Sequence, residues 1–390
     1  MIRRALAVLV FVLTCTSAHA ATVSFNDPGQ GQQWYLDALN FGEAWAQIVD
    51  LPARGRIKVA VIDSGFDTNH KDLQRNLAIG QGINIVNGSK NLSPVNPHGT
   101  GTIGLLAATS GNGEGISQAA WTARAIPVRV SNRSDGAAYT TDLANGIRYA
   151  ADQGARVINL SYSGVHLNAL QKAAAYAQTK GAVVFMAAGN DGRTYARWRN
   201  HKQLIAIGST NRDGSVSSFS TRGKFVDLVA PGHQILSLTT NDRLYTWSGT
   251  SFASPIAASV ASLMLTANPN LSPWQVRKII FTTARDIGPD GRDNASGFGL
   301  IDAEAAVAAA IATDGRYTAS VAGRSIPFVS SDLESHSGIR LVSQFQGITE
   351  TGVLPGIESA AVPEPGTLIV MLGVIFAASG RPTRKMGANL

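Results

Sequence analysis

Between residues 33 and 312, short runs of β-branched residues alternate with longer alanine-rich stretches. This alternation is typical of strand–helix–strand units around a parallel sheet, so it predicts an α/β fold. The chain has 390 residues, of which 44% are hydrophobic and 15% charged, and this favours one large folded domain over a disordered chain. The predicted strands are 57–62, 124–130, 157–160, 183–187 and 204–209, and the predicted helices are 100–108, 139–153, 169–180, 252–267, 272–283 and 302–312.

Two of the predicted helices carry start signals. Ser272 is a typical N-cap residue, and Pro273 follows it at the first helical position. Pro255 is expected within the opening turn of the helix after Ser251, where a missing N–H removes no helical hydrogen bond.

Residues 1–20 predict an export signal. A pair of arginines precedes an apolar run at 5–13, and Ala-His-Ala at 18–20 forms a small-x-small cleavage site. The apolar run is short for the alternative, a transmembrane anchor. Cys15 is the only cysteine and is removed with the signal, so the mature protein is expected to hold neither a disulfide nor a thiolate nucleophile. Residues 21–32 then form a short N-terminal segment.

The net charge of +7 does not indicate a nucleic-acid partner, because much of it lies at the two ends of the chain. Two arginines belong to the export signal, Arg381, Arg384 and Lys385 belong to the tail, and neither end segment contains an acid. Without these five charges the remaining 345 residues carry +2. The sequence therefore predicts no nucleic-acid binding.

The strand–helix pattern ends after residue 312. Residues 313–361 are rich in Ser, Gly and Thr, which is typical of a linker or of a small β element. Residues 362–385 begin with Val-Pro-Glu-Pro, continue with an apolar run at 367–379 and end with the basic cluster, and residues 386–390 complete the tail. A bilayer span needs about 20 apolar residues, so the run by itself is either a buried helix or a weak anchor.

Polar residues follow three of the predicted strands. Asp63 begins "DSG", Ser161 begins "SYSG", and "AGND" occupies 188–191. Because the carboxyl ends of parallel strands meet at one edge of the sheet, these segments are expected to converge. Two further segments, "PHGTGTIGLLAA" from Pro97 and "SGTSFASP" from Ser248, could complete a site.

The converging segments contain the four parts of an acyl-transfer site. Ser251 is a candidate nucleophile, His98 a candidate base, and Asp63 a carboxylate that could orient the imidazole. The carboxamide of Asn190 and the backbone N–H of Ser251 could stabilise an oxyanion. Alone, an Asp after a strand is most often a turn or cap residue, and a Ser in Gly-Thr-Ser is most often a helix cap.

Taken together, "VAVIDSGFD", "HGTGTIGLLAA", "FMAAGND" and "GTSFASP" resemble the signature segments of the subtilisin-like serine proteases, the subtilase family. The order Asp63, His98, Ser251 is also that of the family. The resemblance implies a three-layer αβα sandwich with a doubly wound, mostly parallel sheet, with 33–312 as the peptidase domain. It also implies an Asp-His-Ser triad that acts on peptide or protein substrates, with Asn190 in the oxyanion hole.

The predicted substrate-binding loop departs from the family pattern. It reads Ser161, Tyr162, Ser163 and Gly164, whereas relatives usually carry two glycines after the bulky residue. The primary specificity therefore cannot be copied from the family. Asp191 could lie at the mouth of the pocket and favour basic substrate residues, or it could be a solvated turn acid.

Phe252 also departs from the family, because many relatives carry methionine there. A phenyl ring has no thioether to oxidise, so the sequence predicts tolerance of mild peroxide.

No metal or cofactor is expected in the chemistry, since the sequence has no HExxH motif and no Cys/His cluster. Structural calcium is possible but unsupported. The loop at 109–117 is short and contains one acid. Segment 285–294 also contains acids, but its Gly and Pro content predicts a turn before it predicts a metal site.

Residues 362–385 resemble a PEP-CTERM sorting signal, with its Pro-Glu-Pro motif, hydrophobic run and basic cluster. The resemblance implies processing by an exosortase-type membrane enzyme and transient association with the inner membrane, with the basic cluster on the cytoplasmic side. It further implies export to the cell envelope or the extracellular space of a Gram-negative bacterium.

The sequence therefore predicts an exported serine endopeptidase that works through an acyl-enzyme intermediate. The alternative is an inactive subtilisin-like scaffold that serves as a surface or matrix binding protein. Since all four chemical positions are filled, the sequence favours the enzyme.

Overall fold

The computed structural model describes residues 22–51, 55–198 and 202–313, together with the backbone of a two-residue strand at 341–342. The predicted export signal, the predicted sorting signal and nearly all of the predicted linker lie outside the described residues.

Seven parallel strands form the central sheet. In chain order they are β1 (Ile57–Asp63), β2 (Ile83–Asn84), β3 (Ala123–Arg129), β5 (Val157–Leu160), β6 (Val183–Ala187), β7 (Leu204–Thr210) and β8 (Leu228–Pro231). Their order across the sheet is β2-β3-β1-β5-β6-β7-β8. Because β2 and β3 lie on one side of β1 and β5 to β8 on the other, the sheet is doubly wound, and the carboxyl ends of β1, β5 and β6 are neighbours.

Helices cover both faces of this sheet. They are α1 (Trp34–Ala38), α2 (Phe41–Ile48), α3 (His98–Ala107), α4 (Thr140–Asp152), α5 (Asn168–Thr179), α6 (Thr250–Ala267), α7 (Pro273–Thr282) and α8 (Ala303–Ala312). One apolar cluster joins Val59 and Val61 to α2, α3, α6, α7 and α8, and the other joins Ala60 and Ile62 to α4 and α5. Successive residues of β1 thus serve opposite layers, which confirms the predicted three-layer αβα sandwich.

Two antiparallel pairs lie outside the central sheet. Strands β9 (Ile235–Thr239) and β10 (Arg243–Trp247) form a hairpin that leads into α6. Asn241 and Asp242 at its tip both have positive φ, as a tight hairpin turn requires. The second pair joins β4 (Ala138–Tyr139) to β11 (Leu341–Val342).

The central helix α6 differs from its prediction at its start. It begins at Thr250, so Pro255 is its sixth residue and lies beyond the opening turn. A proline at this position cannot donate to the carbonyl four residues earlier, which is that of Ser251. The hydroxyl of Ser161 donates to this carbonyl instead, at 2.8 Å.

The predicted start of α7 is confirmed. The hydroxyl of Ser272 accepts from the backbone N–H of Gln275, whose side chain in turn accepts from the backbone of Ser272, and Pro273 is the first helical residue. This reciprocal capping box satisfies two backbone donors that the helix itself leaves without a partner.

Within the described ranges, α6 is the one helix that is long and apolar enough to cross a membrane. Its most apolar window is 94% buried inside the protein, and it packs against α3, α8 and five strands of the sheet. Its composition is therefore that of a core helix.

Candidate active site

Asp63 and His98 meet at the carboxyl edge of the sheet. Asp63 is the last residue of β1, His98 is the first residue of α3, and both side chains are fully buried. The Nδ1 atom of His98 lies 3.0 and 3.1 Å from the two carboxylate oxygens of Asp63. Because an ionised carboxylate only accepts hydrogen bonds, Nδ1 carries the proton and Nε2 has the lone pair that a base needs.

The carboxylate of Asp63 is fixed by three further donors. It accepts from the backbone N–H of Ser64 at 2.7 Å, from the hydroxyl of Ser64 at 3.1 Å and from the hydroxyl of Thr102 at 3.0 Å. Sequence reasoning missed this role of Thr102. Its position four residues after His98 places both residues on one face of α3, so helical spacing could have identified it.

The close approach of α3 to β1 depends on Gly99. A Cβ atom at this position would lie 2.1 Å from the backbone oxygen of Gly65 and 3.1 Å from Oδ1 of Asp63. Any side chain would therefore push α3 away from β1.

Ser251 is the second residue of α6 and is 2% exposed. Its hydroxyl donates to the backbone oxygen of Ser161 at 3.3 Å. Its N–H belongs to the first turn of the helix, where backbone donors have no helical acceptor and the helix dipole favours negative charge. The candidate nucleophile thus lies where developing negative charge is stabilised.

Asn190 follows β6 and lies next to the start of α6. Its Oδ1 atom accepts from the backbone N–H and from the hydroxyl of Thr250, both at 2.8 Å. A backbone N–H can only donate, so the amide atom that faces it must be the oxygen. The carboxamide therefore turns its NH₂ group away from Thr250, as an oxyanion donor requires.

The loop at 161–164 is connected to this site through its first two residues. The hydroxyl of Ser161 also accepts from the side chain of Asn159 at 2.9 Å. Tyr162 is fully buried, and its hydroxyl donates to the backbone oxygen of Gly136 at 2.8 Å. Burial raises the pKa of Tyr162 well above its ordinary value, and the charges of Asp63 and Asp135 add to this effect. The ring is thus part of the core, which leaves only the main chain of Tyr162 to contact a peptide.

Of the remaining residues of the loop, Ser163 lies near Gly189, the residue before Asn190. A Cβ atom on Gly189 would lie 3.6 Å from Cβ of Ser163, and Gly164 has a positive φ of 118°. Ser163 is half-buried and Gly164 is buried.

Asp191 is half-buried, and its carboxylate accepts three hydrogen bonds. The donors are the hydroxyl of Tyr195 at 2.6 Å, the hydroxyl of Thr221 at 2.7 Å and the backbone N–H of Arg193 at 3.0 Å. Burial by itself raises the pKa of Asp191, but these hydrogen bonds outweigh it and lower the pKa below the ordinary value. Much of the charge is therefore already compensated by the protein.

Away from this site, two buried acids converge on the loop at 109–117. Asp27 and Asp72 are 5% and 1% exposed. Asp72 accepts from the backbone N–H of Ile116 at 2.9 Å, and Asp27 from that of Gly111 at 2.9 Å. Among the described residues, neither acid has a lysine or arginine within ion-pair distance. Sequence reasoning missed these acids because both lie outside the loop.

The charge of Asp72 is poorly compensated. Burial raises its pKa to about 6, hydrogen bonds from Ile116, Asn112 and Thr109 offset part of the rise, and the nearby charge of Asp27 adds to it. In the described part of the chain, no group of three or more His, Cys, Asp or Glu residues could hold a metal ion. Carboxylate oxygens such as those of Asp27 and Asp72 are ligands that calcium prefers, whereas Asn112 turns its NH₂ group toward Oδ1 of Asp72 at 3.0 Å.

Comparisons with known proteins agree with this geometry. Residues 54–299 match the model of the subtilase family. The chain is 38% identical over 269 residues to thermitase of Thermoactinomyces vulgaris, which covers 68% of this chain and 93% of thermitase. It is 34% identical over 298 residues to halolysin of Haloferax mediterranei, covering 75% of this chain and 56% of halolysin. A solved protease structure from Pseudoalteromonas arctica matches with a TM-score of 0.65 at 29% identity, covering 74% of this chain and 100% of that one.

The fold, the site and these matches together define a serine-type endopeptidase. Within that class, the chain belongs to the subtilase family.

Proposed function

We propose that the protein is an exported endopeptidase that hydrolyses peptide bonds with Asp63, His98 and Ser251. The observation that carries the proposal is the pair of contacts, 3.0 and 3.1 Å long, between Nδ1 of His98 and the Asp63 carboxylate. They fix the tautomer in which Nε2 can accept a proton. All four chemical positions carry the residue types that catalysis needs, which favours an active enzyme over an inactive scaffold.

The proposed reaction begins when the Ser251 hydroxyl attacks the carbonyl carbon of the substrate. Its proton passes to Nε2 of His98, while Asp63 stabilises the resulting imidazolium. The oxyanion accepts hydrogen bonds from the NH₂ group of Asn190 and the N–H of Ser251. His98 then protonates the leaving amine, and water hydrolyses the acyl-enzyme by the same steps with His98 again as base.

A fluorophosphonate probe tests this mechanism, because the Ser251 oxygen displaces its fluoride only when the nucleophile is activated. We expect labelling of the native protein at Ser251, and no labelling of Ser251→Ala or of protein denatured beforehand. A folded native protein that is not labelled would contradict the proposed function.

We propose that the substrate peptide binds along residues 161–164, with the main chain of Tyr162 and the side chain of Ser163 facing it. Asp191 is a proposed specificity residue at the same end of the site. Because its carboxylate already accepts three hydrogen bonds, we expect at most a small preference for Arg or Lys before the scissile bond. A peptide panel varied at that position measures the preference, and Asp191→Asn shows how much of it depends on the charge.

We also propose that Asp27 and Asp72 can hold a structural calcium ion, since calcium binding is common among subtilases. The ion would supply positive charge to two buried acids and would join residues 22–33 to the loop at 109–117. It has no part in the proposed bond cleavage.

Export is proposed from both ends of the chain, and one relative, a protease of Natrialba magadii, is itself described as extracellular. We propose that an exosortase-type enzyme of a Gram-negative bacterium removes the tail near 362–365 after transient anchoring in the inner membrane. Antibodies against 381–390 test this step. We expect them to detect the precursor but not the mature surface form, and detection on the mature form would contradict the proposed processing.

A further inference from the structure

Two buried aromatic rings pack against the ring of His98, the candidate base. Phe252 follows Ser251 in α6 and is fully buried, and Trp247 ends β10 and is 6% exposed. Their rings are stacked, with centroids 5.0 Å apart and planes 19° apart. The ring of His98 meets both of them at steep angles, at 5.3 Å and 64° to Phe252 and at 6.3 Å and 82° to Trp247. We call this stacked pair the aromatic wedge.

The aromatic wedge packs directly against the backbone of α3 beside His98. Gly101 lies one turn after His98, and a Cβ atom there would be 3.0 Å from Cε2 of Trp247 and 3.1 Å from Cε1 of Phe252. Contacts this short are tighter than ordinary packing, so the two rings reach the backbone of α3 only because residue 101 has no side chain.

The aromatic wedge is itself anchored in the hairpin. Nε1 of Trp247 donates to the backbone oxygen of Leu238 at 3.1 Å. The neighbouring Ser237 donates its hydroxyl to the backbone oxygen of Gly101 at 2.6 Å. The same hairpin therefore holds both the Trp247 ring and the helix that carries His98.

Asp63 alone does not fix the plane of the His98 ring. Its contacts place the Nδ1 atom, but the ring can still tilt about that atom unless other groups touch its remaining atoms. The aromatic wedge supplies these contacts, and edge-to-face packing is a favourable geometry for such rings. It also keeps water away from the back of the ring, which strengthens the hydrogen bond to Asp63.

We propose that the aromatic wedge is a positioning device that holds the His98 imidazole in the plane needed for proton transfer from Ser251 and to the leaving amine. Phe252 and Trp247 are thus positioning residues that act through His98. The proposal deepens the proposed function and rests on it.

Phe252→Leu tests the proposal by removing the ring but keeping a buried apolar side chain. We expect kcat to fall about tenfold or more, since small displacements of a catalytic group cost up to about 10² in rate, while KM changes less than about twofold. The pH dependence of kcat is expected to shift as well, because the His98–Asp63 contact changes. Trp247→Leu removes the other ring of the stack and is expected to reduce kcat in the same way.

Phe281→Leu is the matched control. Phe281 in α7 is also buried and also stacked, on Phe298 at 4.8 Å, so its substitution causes a similar loss of packing. We expect a comparable fall in thermal midpoint but an unchanged kcat and pH profile. If Phe281→Leu reduces kcat as much as Phe252→Leu at equal stability, the positioning role is overturned.

A double-mutant cycle with Gly101→Ala adds a readout that a purely structural role would not give. The new methyl group is expected to displace the rings and lower kcat, and the smaller Leu side chain at 252 makes room for it. We expect the double variant to retain at least about threefold more activity than the product of the two single effects predicts. Additive effects would overturn the proposal.

Different results would overturn the proposed function and the proposed positioning role of the aromatic wedge. A native protein that neither labels at Ser251 nor cleaves peptides overturns both. A native protein that labels and cleaves, together with a folded Phe252→Leu of unchanged kcat, overturns only the aromatic wedge.

Discussion

Thr250 shows how one residue without chemistry of its own can set the orientation of a functional group. Its N–H and hydroxyl both donate to Oδ1 of Asn190, and its hydroxyl oxygen also accepts from the N–H of Gly189 at 3.1 Å. Thr102 has the same relation to Asp63. The Thr250 hydroxyl thus restricts the orientation of the Asn190 carboxamide, and the Thr102 hydroxyl restricts that of the Asp63 carboxylate.

Thr250→Val should lower kcat by about tenfold and leave KM almost unchanged. Valine keeps the shape and the backbone donor but removes the hydroxyl, so Asn190 is held by one hydrogen bond instead of two. The loss should be smaller than the about 10²- to 10³-fold known for removal of one oxyanion donor in subtilisin itself. Steady-state kinetics on one peptide measure both parameters.

The control for this variant is Thr239→Val in β9. Thr239 is also buried, but its hydroxyl has no hydrogen-bond partner among the described residues, so no hydrogen bond is lost. We expect kcat of this control to equal that of the native protein. A Thr250→Val variant with native kcat would show that Asn190 does not need the second hydrogen bond.

Activity should survive mild peroxide, because Phe252 places a ring where a thioether would be oxidised. The two methionines in the described ranges, Met186 in β6 and Met264 in the last turn of α6, are not adjacent to Ser251 in the chain. Phe252→Met is the matched variant, and we expect it to lose most of its activity in peroxide that leaves the native protein active. Residual activity after timed exposure measures the difference, and equal loss in both proteins would exclude Phe252 as the cause of tolerance.

The candidate chemical residues could be identified from sequence because each lies in a short motif beside a strand or helix end. Asp63, His98, Asn190 and Ser251 are of this kind. Asp63 and His98 are in direct contact, and Asn190 and Ser251 flank Thr250 at the start of α6. Thr250 and the aromatic wedge were not predicted, because their roles depend on which segments pack together. The catalytic roles of the four candidate chemical residues, like the substrate roles of Ser163 and Asp191, stay predictions.

At the scale of elements, buried strands and long helices were predictable, and short or irregular elements were not. The five predicted strands and six predicted helices are confirmed to within about two residues at each end. The missed α1 and β2 are too short to show a period, and β8 ends in a proline that reduces its resemblance to a central strand. The start of α6 was misplaced because Gly249 and Thr250 read as a loop, although the helix already includes Thr250.

The contact between α3 and β1 is the element-level feature on which the Asp63–His98 pair most depends. Gly99→Ala should reduce kcat by more than about 10²-fold or prevent folding, because the added Cβ would overlap the backbone of Gly65. Gly80→Ala is the control, since a Cβ there meets no atom within 4 Å. Kinetics and thermal unfolding of both variants test this, and a folded Gly99→Ala with native activity would contradict the required close approach.

At the scale of the whole molecule, residues 22–33 are joined to the body of the domain by more than apolar packing. The N–H of Gly29 donates to the backbone oxygen of Gly115 at 2.8 Å, and the hydroxyl of Ser117 donates to Asp27 at 2.7 Å. The ring of Phe25 packs on Trp45 with centroids 5.1 Å apart. Asp27 and the poorly compensated Asp72 both lie at this junction.

Calcium should therefore stabilise the protein, and more so as the pH rises. Burial raises the pKa of Asp72 to about 6, above its unfolded value, so without a bound cation this acid keeps its proton at pH 5 and loses it by pH 8. A carboxyl group whose pKa is raised in the folded state makes the protein less stable as the pH rises from about 4 to 6. A bound cation restores this stability. We expect millimolar calcium to raise the thermal midpoint over that in chelator by about 5 °C or more at pH 8, and by less at pH 5.

The measurement is best made in Ser251→Ala, which prevents self-digestion during heating. In that background Asp72→Asn should abolish the response to calcium and flatten the pH dependence in chelator, because the titrating group and a cation ligand are both lost. Asp50→Asn changes an exposed acid just after α2, away from Asp27 and Asp72, so it should keep the full calcium response. If Asp72→Asn still gains several degrees from calcium at pH 8, the ion binds elsewhere. If no variant responds at either pH, the hydrogen bonds of the loop are enough to hold the two acids without a cation.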